Sequence, residues 1–221
     1  FMIQIKPSLH YGAIKKELLK PYIYGKNILI VSSKTVWEKS YLSRVINDFS
    51  EKYIFNIYTH IKPNAPFSDL QKIIDDFSNG ELPDTIIAIG GGSIIDAAKA
   101  LSVSFQQISL NELFYKIKPL PRSSINIIAI PTTAGTGAEL SFGAIIYDDV
   151  NKIKGGIRGE IIQSNVVFID PELYKTASKK LISEVGFDCL THAIETYLSL
   201  KSNPLIKYQS VAAIKTVFNF L

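Results

Sequence analysis

Apolar and polar positions fall into blocks along this chain. Short apolar or β-branched runs at Asn27–Ser32 (NILIVS), Tyr53–Tyr58, Ile86–Ile89 and Ile125–Ile130 are bounded by loop-forming residues and have the length of strands. Between them lie longer segments of helical spacing: Tyr11–Leu19, stopped near Pro21; Thr35–Phe49; Ser68–Phe77, which ends at Asn79-Gly80; and Ser93–Ala100. Ile3 and Ile5 suggest an edge strand ahead of them. Strands that alternate with helices predict an α/β fold with a layered parallel sheet, whose ligands sit at the carboxyl ends of the strands. Gly143–Asp148 and Asn165–Ile169 read as further strands, with the glycine-containing Lys152–Gly159 between them as part of a β-meander. After Ile169-Asp170-Pro171 the strand pattern stops, and Ser178–Leu198 and Pro204–Leu221 read as helices, the second with proline at a tolerated first-turn position. The expected organisation is an α/β domain over 1–170 and the beginning of an all-helical domain over 171–221. Val217–Leu221 is apolar and uncapped, so the helical part reads as stopping before its packing partners, and homo-oligomerisation is expected.

Composition narrows the classes. The 221 residues are 47% hydrophobic and 20% charged, which is the balance of a globular protein with a substantial core. No apolar run reaches the roughly 18 residues that span a bilayer, and Phe1-Met2 begins no signal peptide, so a cytoplasmic chain without membrane partners is expected. A single cysteine, Cys189, excludes an internal disulfide framework. The net charge of +4 is scattered over helices, as at Lys15, Lys16, Lys20, Lys179 and Lys180, without the basic stripe that nucleic acid requires.

The stretch Ile86–Ala100 (IIAIGGGSIIDAAKA) concentrates the candidate chemistry. A buried strand runs into Gly90-Gly91-Gly92 and then into a helix start, where missing side chains let a ligand approach the backbone and free N–H groups favour an anion. Ser93 followed at three residues by Asp96 fits a capping box. Neither G-x-G-x-x-G nor a P-loop lysine is present, so a diphosphate without bound magnesium is the better fit. One strand later, Pro131-Thr132-Thr133-Ala134-Gly135-Thr136-Gly137-Ala138-Glu139 forms a hydroxyl-rich turn placed to close over the same phosphate. On the first helix of the helical part, Asp188 and His192 are four residues apart and share a face, with Glu195 on the same stripe. Spacing alone also fits a surface acid–histidine pair, but Phe187, Leu190, Ile194 and Leu198 around the stripe suggest that it looks into an interior, where a divalent metal would satisfy both groups. His10 and His60 have no metal-ligand spacing and read as surface or capping residues, and Cys189 as a core residue.

Three motifs, Gly90–Lys99 (GGGSIIDAAK), Pro131–Glu139 (PTTAGTGAE) and Gly186–Glu195 (GFDCLTHAIE), occur in the order and at the separations of the iron-containing, or group III, alcohol dehydrogenases, which the chain resembles over nearly its whole length. Pro63-Asn64-Ala65-Pro66 is similar to that family's Pro-Asn-Pro loop. The resemblance implies a dinucleotide-binding α/β domain, a helical domain, NAD or NADP, and a divalent metal, Fe2+ or Zn2+. It places the pyrophosphate at Gly91, Gly92 and Ser93 with Asp96 nearby, sets Thr132, Thr133 and Thr136 on the ribose and nicotinamide side, adds Asn64 and Lys154 to the cofactor contacts, and makes Asp188 and His192 the first two metal ligands and the catalytic pair. The implied reaction passes hydride between nicotinamide and an alcohol, aldehyde or ketone whose oxygen the metal polarises. The family takes two more histidine ligands from its helical domain, and the chain ends before either, so little turnover by this stretch alone is expected. Where many NAD-preferring members carry an acidic residue, Ser33 stands here, followed by Lys34, which favours NADP. Two alternatives stay open: a sugar-phosphate cyclase of the dehydroquinate-synthase type, and a nucleotide-binding remnant without turnover.

Overall fold

The computed structural model describes residues 7–49, 51–175 and 177–221. The strand expected at Ile3 and Ile5 lies outside them. The chain divides into two compact units, one of residues up to Thr132 together with Ala138–Leu173, the other of Thr133–Gly137 and Tyr174–Leu221.

In the first unit the elements follow as β1 (Ser8–Tyr11), α1 (Lys16–Leu19), β2 (Asn27–Ser32), α2 (Lys34–Lys39), α3 (Leu42–Asn47), β3 (Ile54–Tyr58), α4 (Phe67–Asp76), β4 (Thr85–Gly90), α5 (Gly92–Ser104), α6 (Leu110–Phe114), β5 (Asn126–Pro131), β6 (Gly143–Asp148), β7 (Ile153–Arg158) and β8 (Val166–Ile169). Six strands form one sheet in the order β1-β8-β5-β4-β2-β3. Every pairing in it is parallel. The α/β reading with a parallel sheet therefore stands.

Side-chain alternation splits the core into two layers. Leu29, Val31, Ile86, Ala88, Ala129 and Val167 pack on one face with Leu70 and Ile73 of α4 and Ala97, Ala98 and Leu101 of α5. Ile28, Ile30, Ile87, Ile89, Ile128, Ile130 and Phe168 pack on the other with Leu19, Leu42 and Ile46. Both faces are covered, which is why the strands read as nearly continuous apolar runs.

Three expectations change. The helix expected over Tyr11–Leu19 is replaced by strand β1, a turn at Gly12 with φ of +116°, and a short α1. β1 forms because β8 offers it a parallel partner, and the Ile14 N–H is then held away from helical geometry by Asp170 Oδ2 at 3.2 Å and the Tyr41 hydroxyl at 2.9 Å. The helix expected over Thr35–Phe49 is two helices, because Ser40 is extended (φ −82°, ψ 153°). The β-meander is absent: β6 and β7 pair antiparallel as a separate hairpin, while β8, buried at Val166, Val167 and Phe168, enters the large sheet between β1 and β5.

The second unit consists of the 133–137 loop and helices α7 (Lys179–Leu198) and α8 (Pro204–Phe220). Ser178 caps α7 by accepting from Leu181 N at 3.2 Å, and Asn203 caps α8 by accepting from Ile206 N at 3.0 Å, with Pro204 in the first turn. A Cβ on Gly186 would meet Leu221 Cδ1 at 2.5 Å, so the start of α7 lies against the end of α8.

The central strand tests the layered core. Ile87 is fully buried between β2 and β5, and Ile87→Ala should cost about 2–5 kcal/mol in urea unfolding without altering the Gly90–Gly92 corner.

Candidate functional site

The glycine corner opens where β4 leaves the sheet. Gly90 must be glycine, since a Cβ there would stand 2.6 Å from the Ile94 side chain. Gly91 is the N-cap residue of α5 and supplies no side-chain cap, so the first N–H groups of this 13-residue helix are not met by a capping side chain. The expected capping box is absent at this corner. Ser93 lies inside the first turn with its hydroxyl accepting from Asn64 N at 2.9 Å, and the Asp96 carboxylate accepts from Ile145 N at 3.0 Å. A capping box occurs instead at α6, between Ser109 and Glu112.

Around this corner the structure gathers much of the expected set. Asn64 and Ala65 both adopt left-handed backbone, φ +67° and +48°, which bends the 62–66 loop toward Ser93. Lys154, paired with Tyr147 across the β6–β7 hairpin, donates to Asn64 Oδ1 at 3.0 Å. Thr132 is buried at the end of β5, with its N–H on the Gly90 carbonyl at 3.1 Å. Ser33 stands one residue past β2, beside β4, where its hydroxyl accepts from Val36 N at 3.3 Å. Thr133, Thr136, Asp188 and His192 belong to the other unit.

With this geometry established, comparison with known proteins is decisive: the model of iron-containing alcohol dehydrogenases matches residues 9–171. The chain belongs to that family. It is 30% identical over 210 residues to an aldehyde-alcohol dehydrogenase of Streptococcus pneumoniae, covering 89% of this chain and 24% of the relative. It is 30% identical to the NADPH-dependent butanol dehydrogenase of Clostridium saccharobutylicum, covering 95% of this chain and 55% of the relative. Among solved structures, the iron-containing alcohol dehydrogenase from Thermococcus thioreducens superposes with a TM-score of 0.87 at 26% identity, covering 99% of this chain and 60% of that one. The chain thus spans between a quarter and three-fifths of these family members.

On α7, Asp188 Oδ1 lies 3.7 Å from His192 Nε2, so the pair can face one cation. The expectation that their face is interior is corrected: the two side chains are 42% and 52% exposed, and Phe187, Ile194 and Leu198 are exposed beside them. The half-buried stripe of α7 runs through Val185, Gly186, Asp188, Cys189 and Leu190 to the buried Ala193, so Asp188 stands at the edge of that stripe and His192 outside it. Among the described residues no group of three or more histidine, cysteine, aspartate or glutamate side chains could hold a metal. One carboxylate and one imidazole make part of a ligand set, short of the three protein ligands usual at a catalytic ion.

Sequence reasoning missed Lys99. It is fully buried and donates to backbone carbonyls of the 138–143 segment, although it had read only as the last letter of a motif. Its three-residue spacing from Asp96, in a helix with no other charged residue, was the available signal. His10, expected at the surface, is half-buried and stacks on Phe168 with ring centroids 4.7 Å apart. His60 pairs its backbone with Ser33.

Burial sets the electrostatics of the corner. It lifts the Asp96 carboxyl from 3.8 to about 6, against the opposing pull of the Ile145 N–H, Lys99 and Lys154. It lowers Lys99 from 10.5 to about 8, against Asp96 and Glu139. Between pH 3.8 and 6 the folded Asp96 holds more protons than the unfolded one, so its contribution to stability falls as pH rises through that window. Asp96→Asn should therefore lose this pH dependence. In thermal melts it should match or exceed the wild type at pH 7 and fall closer to it, or below it, at pH 4.

Proposed function

We propose that this chain binds NAD(P) at the glycine corner and contributes two ligands, Asp188 and His192, to a divalent-metal site, in an NAD(P)-linked alcohol dehydrogenase or aldehyde and ketone reductase acting on small molecules. The observation that carries the reading is the start of α5: a long helix without a side-chain cap at a glycine turn, flanked by Ser93, Asn64 and Lys154 in one hydrogen-bonded chain. Its first-turn amides suit the diphosphate, and the Lys154 ammonium adds positive charge beside it. Thr132 continues the polar rim at the next strand end. Thr133 and Thr136 are assigned to the ribose and nicotinamide side by their place in the family motif. When bound, the nicotinamide exchanges hydride, and the metal, iron by family, acts as a Lewis acid on the substrate oxygen.

NADP is the favoured form. Ser33 just past β2 is neutral and already serves as the cap of α2, so it supplies no charge to repel a 2′-phosphate, while Lys34 next to it is largely exposed and reaches Glu38 only at 3.9 Å. An acidic side chain at this place would accept from both ribose hydroxyls and reject the phosphate.

Two measurements check this reading. Gly91 has φ of −78° and ψ of −173°, a backbone conformation that does not require glycine, so Gly91→Val, with its fold checked by circular dichroism, should weaken NADPH by at least tenfold in fluorescence titration. Equal affinities would refute the corner as the site. Wild type should bind NADPH at least as tightly as NADH, and Ser33→Asp should reverse that order; a clear wild-type preference for NADH would remove the NADP assignment.

A further inference from the structure

The side of α5 that meets β6 carries two charges, Asp96 and Lys99, in a helix whose other residues are small or apolar. Lys99 is fully buried. Its Nζ donates to the carbonyls of Ala138, Ser141 at 2.7 Å and Gly143 at 3.0 Å, and to the Ser141 hydroxyl at 3.0 Å. That hydroxyl donates in turn toward the carbonyls of Gly143 at 3.1 Å and Ala138 at 3.2 Å, so the segment wraps around the ammonium. A lysine suits this place because its three N–H bonds diverge toward carbonyls that converge from several directions.

What this segment leads to gives the arrangement its meaning. Ala138 closes the threonine-rich loop, and Gly143 opens β6. Two residues further, the Ile145 N–H is taken by Asp96, so α5 fastens the root of the hairpin with one cation and one anion, both on backbone. Across the hairpin Lys154 reaches Asn64, and Asn64 reaches Ser93 in the first turn of the same helix. The circuit closes on itself: helix start, loop, hairpin, buried lysine, helix.

We propose that Lys99 is a positioning residue for the dinucleotide: by holding the 138–143 segment it sets the β6–β7 hairpin so that Lys154 stands at Asn64 beside the glycine corner. The proposal rests on the dinucleotide reading above. The charged groups around Lys99 are Asp96 on its own helix and Glu139 on the wrapped segment, with Lys154 acting on Asp96 from the hairpin. None of them replaces the ammonium's bonds to the carbonyls. Methionine fills the same space and removes every bond from the ammonium to those carbonyls, leaving only the single Ser141 hydroxyl proton to serve Ala138 or Gly143, whereas glutamine keeps two N–H donors.

The test titrates NADPH and NADH by fluorescence into the wild type, Lys99→Met, Lys99→Gln, Lys154→Met and the Lys99→Met/Lys154→Met double variant, with amide hydrogen exchange on each ligand-free protein. Lys99→Met should weaken NADPH at least tenfold, and Lys99→Gln should recover part of that loss. Exchange should quicken over 138–158 and stay slow in β2, β4 and β5. If Lys99 acts through Lys154, the double variant should bind little more weakly than Lys154→Met alone, a non-additivity that general loosening of the fold would not give. The proposal is overturned by NADPH binding to Lys99→Met within twofold of wild type, or by additive losses in the double variant. Collapse of both Lys99 variants in circular dichroism also overturns it, because Lys99 would then hold the fold and not the site. A wild type that binds neither dinucleotide defeats the dinucleotide reading itself, whereas tight wild-type binding with an insensitive Lys99→Met defeats this proposal alone.

Discussion

The order of the strands is the constraint on which the α/β unit depends. The connection leaving β2 passes through α2 and α3 to β3 on one side, and the connection leaving β4 passes through α5 and α6 to β5 on the other. Neither crosses between the two strand ends, so the carboxyl ends of β2 and β4 lie side by side with a gap above them. Ser33 and the Gly90–Ser93 corner fall at that gap because of topology, and the apolar register of Ile28–Ser32 against Thr85–Ile89 holds them there. Parallel pairing with both faces covered makes the register costly to shift, since a one-residue slip would exchange the two core layers.

Polar fastenings complete what the sheet begins. The β6–β7 hairpin lies outside the large sheet, and hydrogen bonds to neighbouring elements fix its position: Asp96 and Lys99 at its root, Tyr147 N on the Ala65 carbonyl at 3.2 Å, and Asp148 with the Tyr115 hydroxyl at 2.7 Å near its tip. Packing adds to this at Gly155, where a Cβ would stand 2.6 Å from the Phe114 ring. A hairpin held by buried charge on backbone groups has few alternative positions, because each leaves an ion or a carbonyl unpaired at low dielectric. The same burial displaces Asp96 upward and Lys99 downward, and near neutral pH the two remain oppositely charged partners.

The family motifs carry this logic unevenly. The glycines and Ser93 are used as backbone room and as a hydroxyl acceptor, while the aspartate and lysine that follow them bind protein backbone. On α7 the motif supplies a carboxylate and an imidazole within reach of one ion, on a face that the described residues leave exposed.

The sequence by itself determined the layered α/β class, most of the strands, the glycine corner, the two helices of the second unit with Pro204 in the first turn of α8, and the acid–histidine spacing. All of these are local: apolar runs, turn residues and helical periods act within a few residues of one another. Tertiary structure decided the rest. Ser8–Tyr11 is a strand only because β8 is there to pair with it, and Ile153–Arg158 forms a hairpin apart from β8 because Val166–Phe168 needs burial on both faces. Ser93 and Asp96 fit a capping box by spacing, yet Asn64 and Ile145 claim their oxygens from 29 and 49 residues away along the chain. Lys99 stood in sequence only as the end of the Gly90–Lys99 motif, and only the fold brought the carbonyls of Ala138, Ser141 and Gly143 around it. Hydrogen-bond partners far apart in the chain leave no periodic trace in sequence, and for that reason what Ser93, Asp96, Lys99 and Lys154 bind could be read only from the folded molecule.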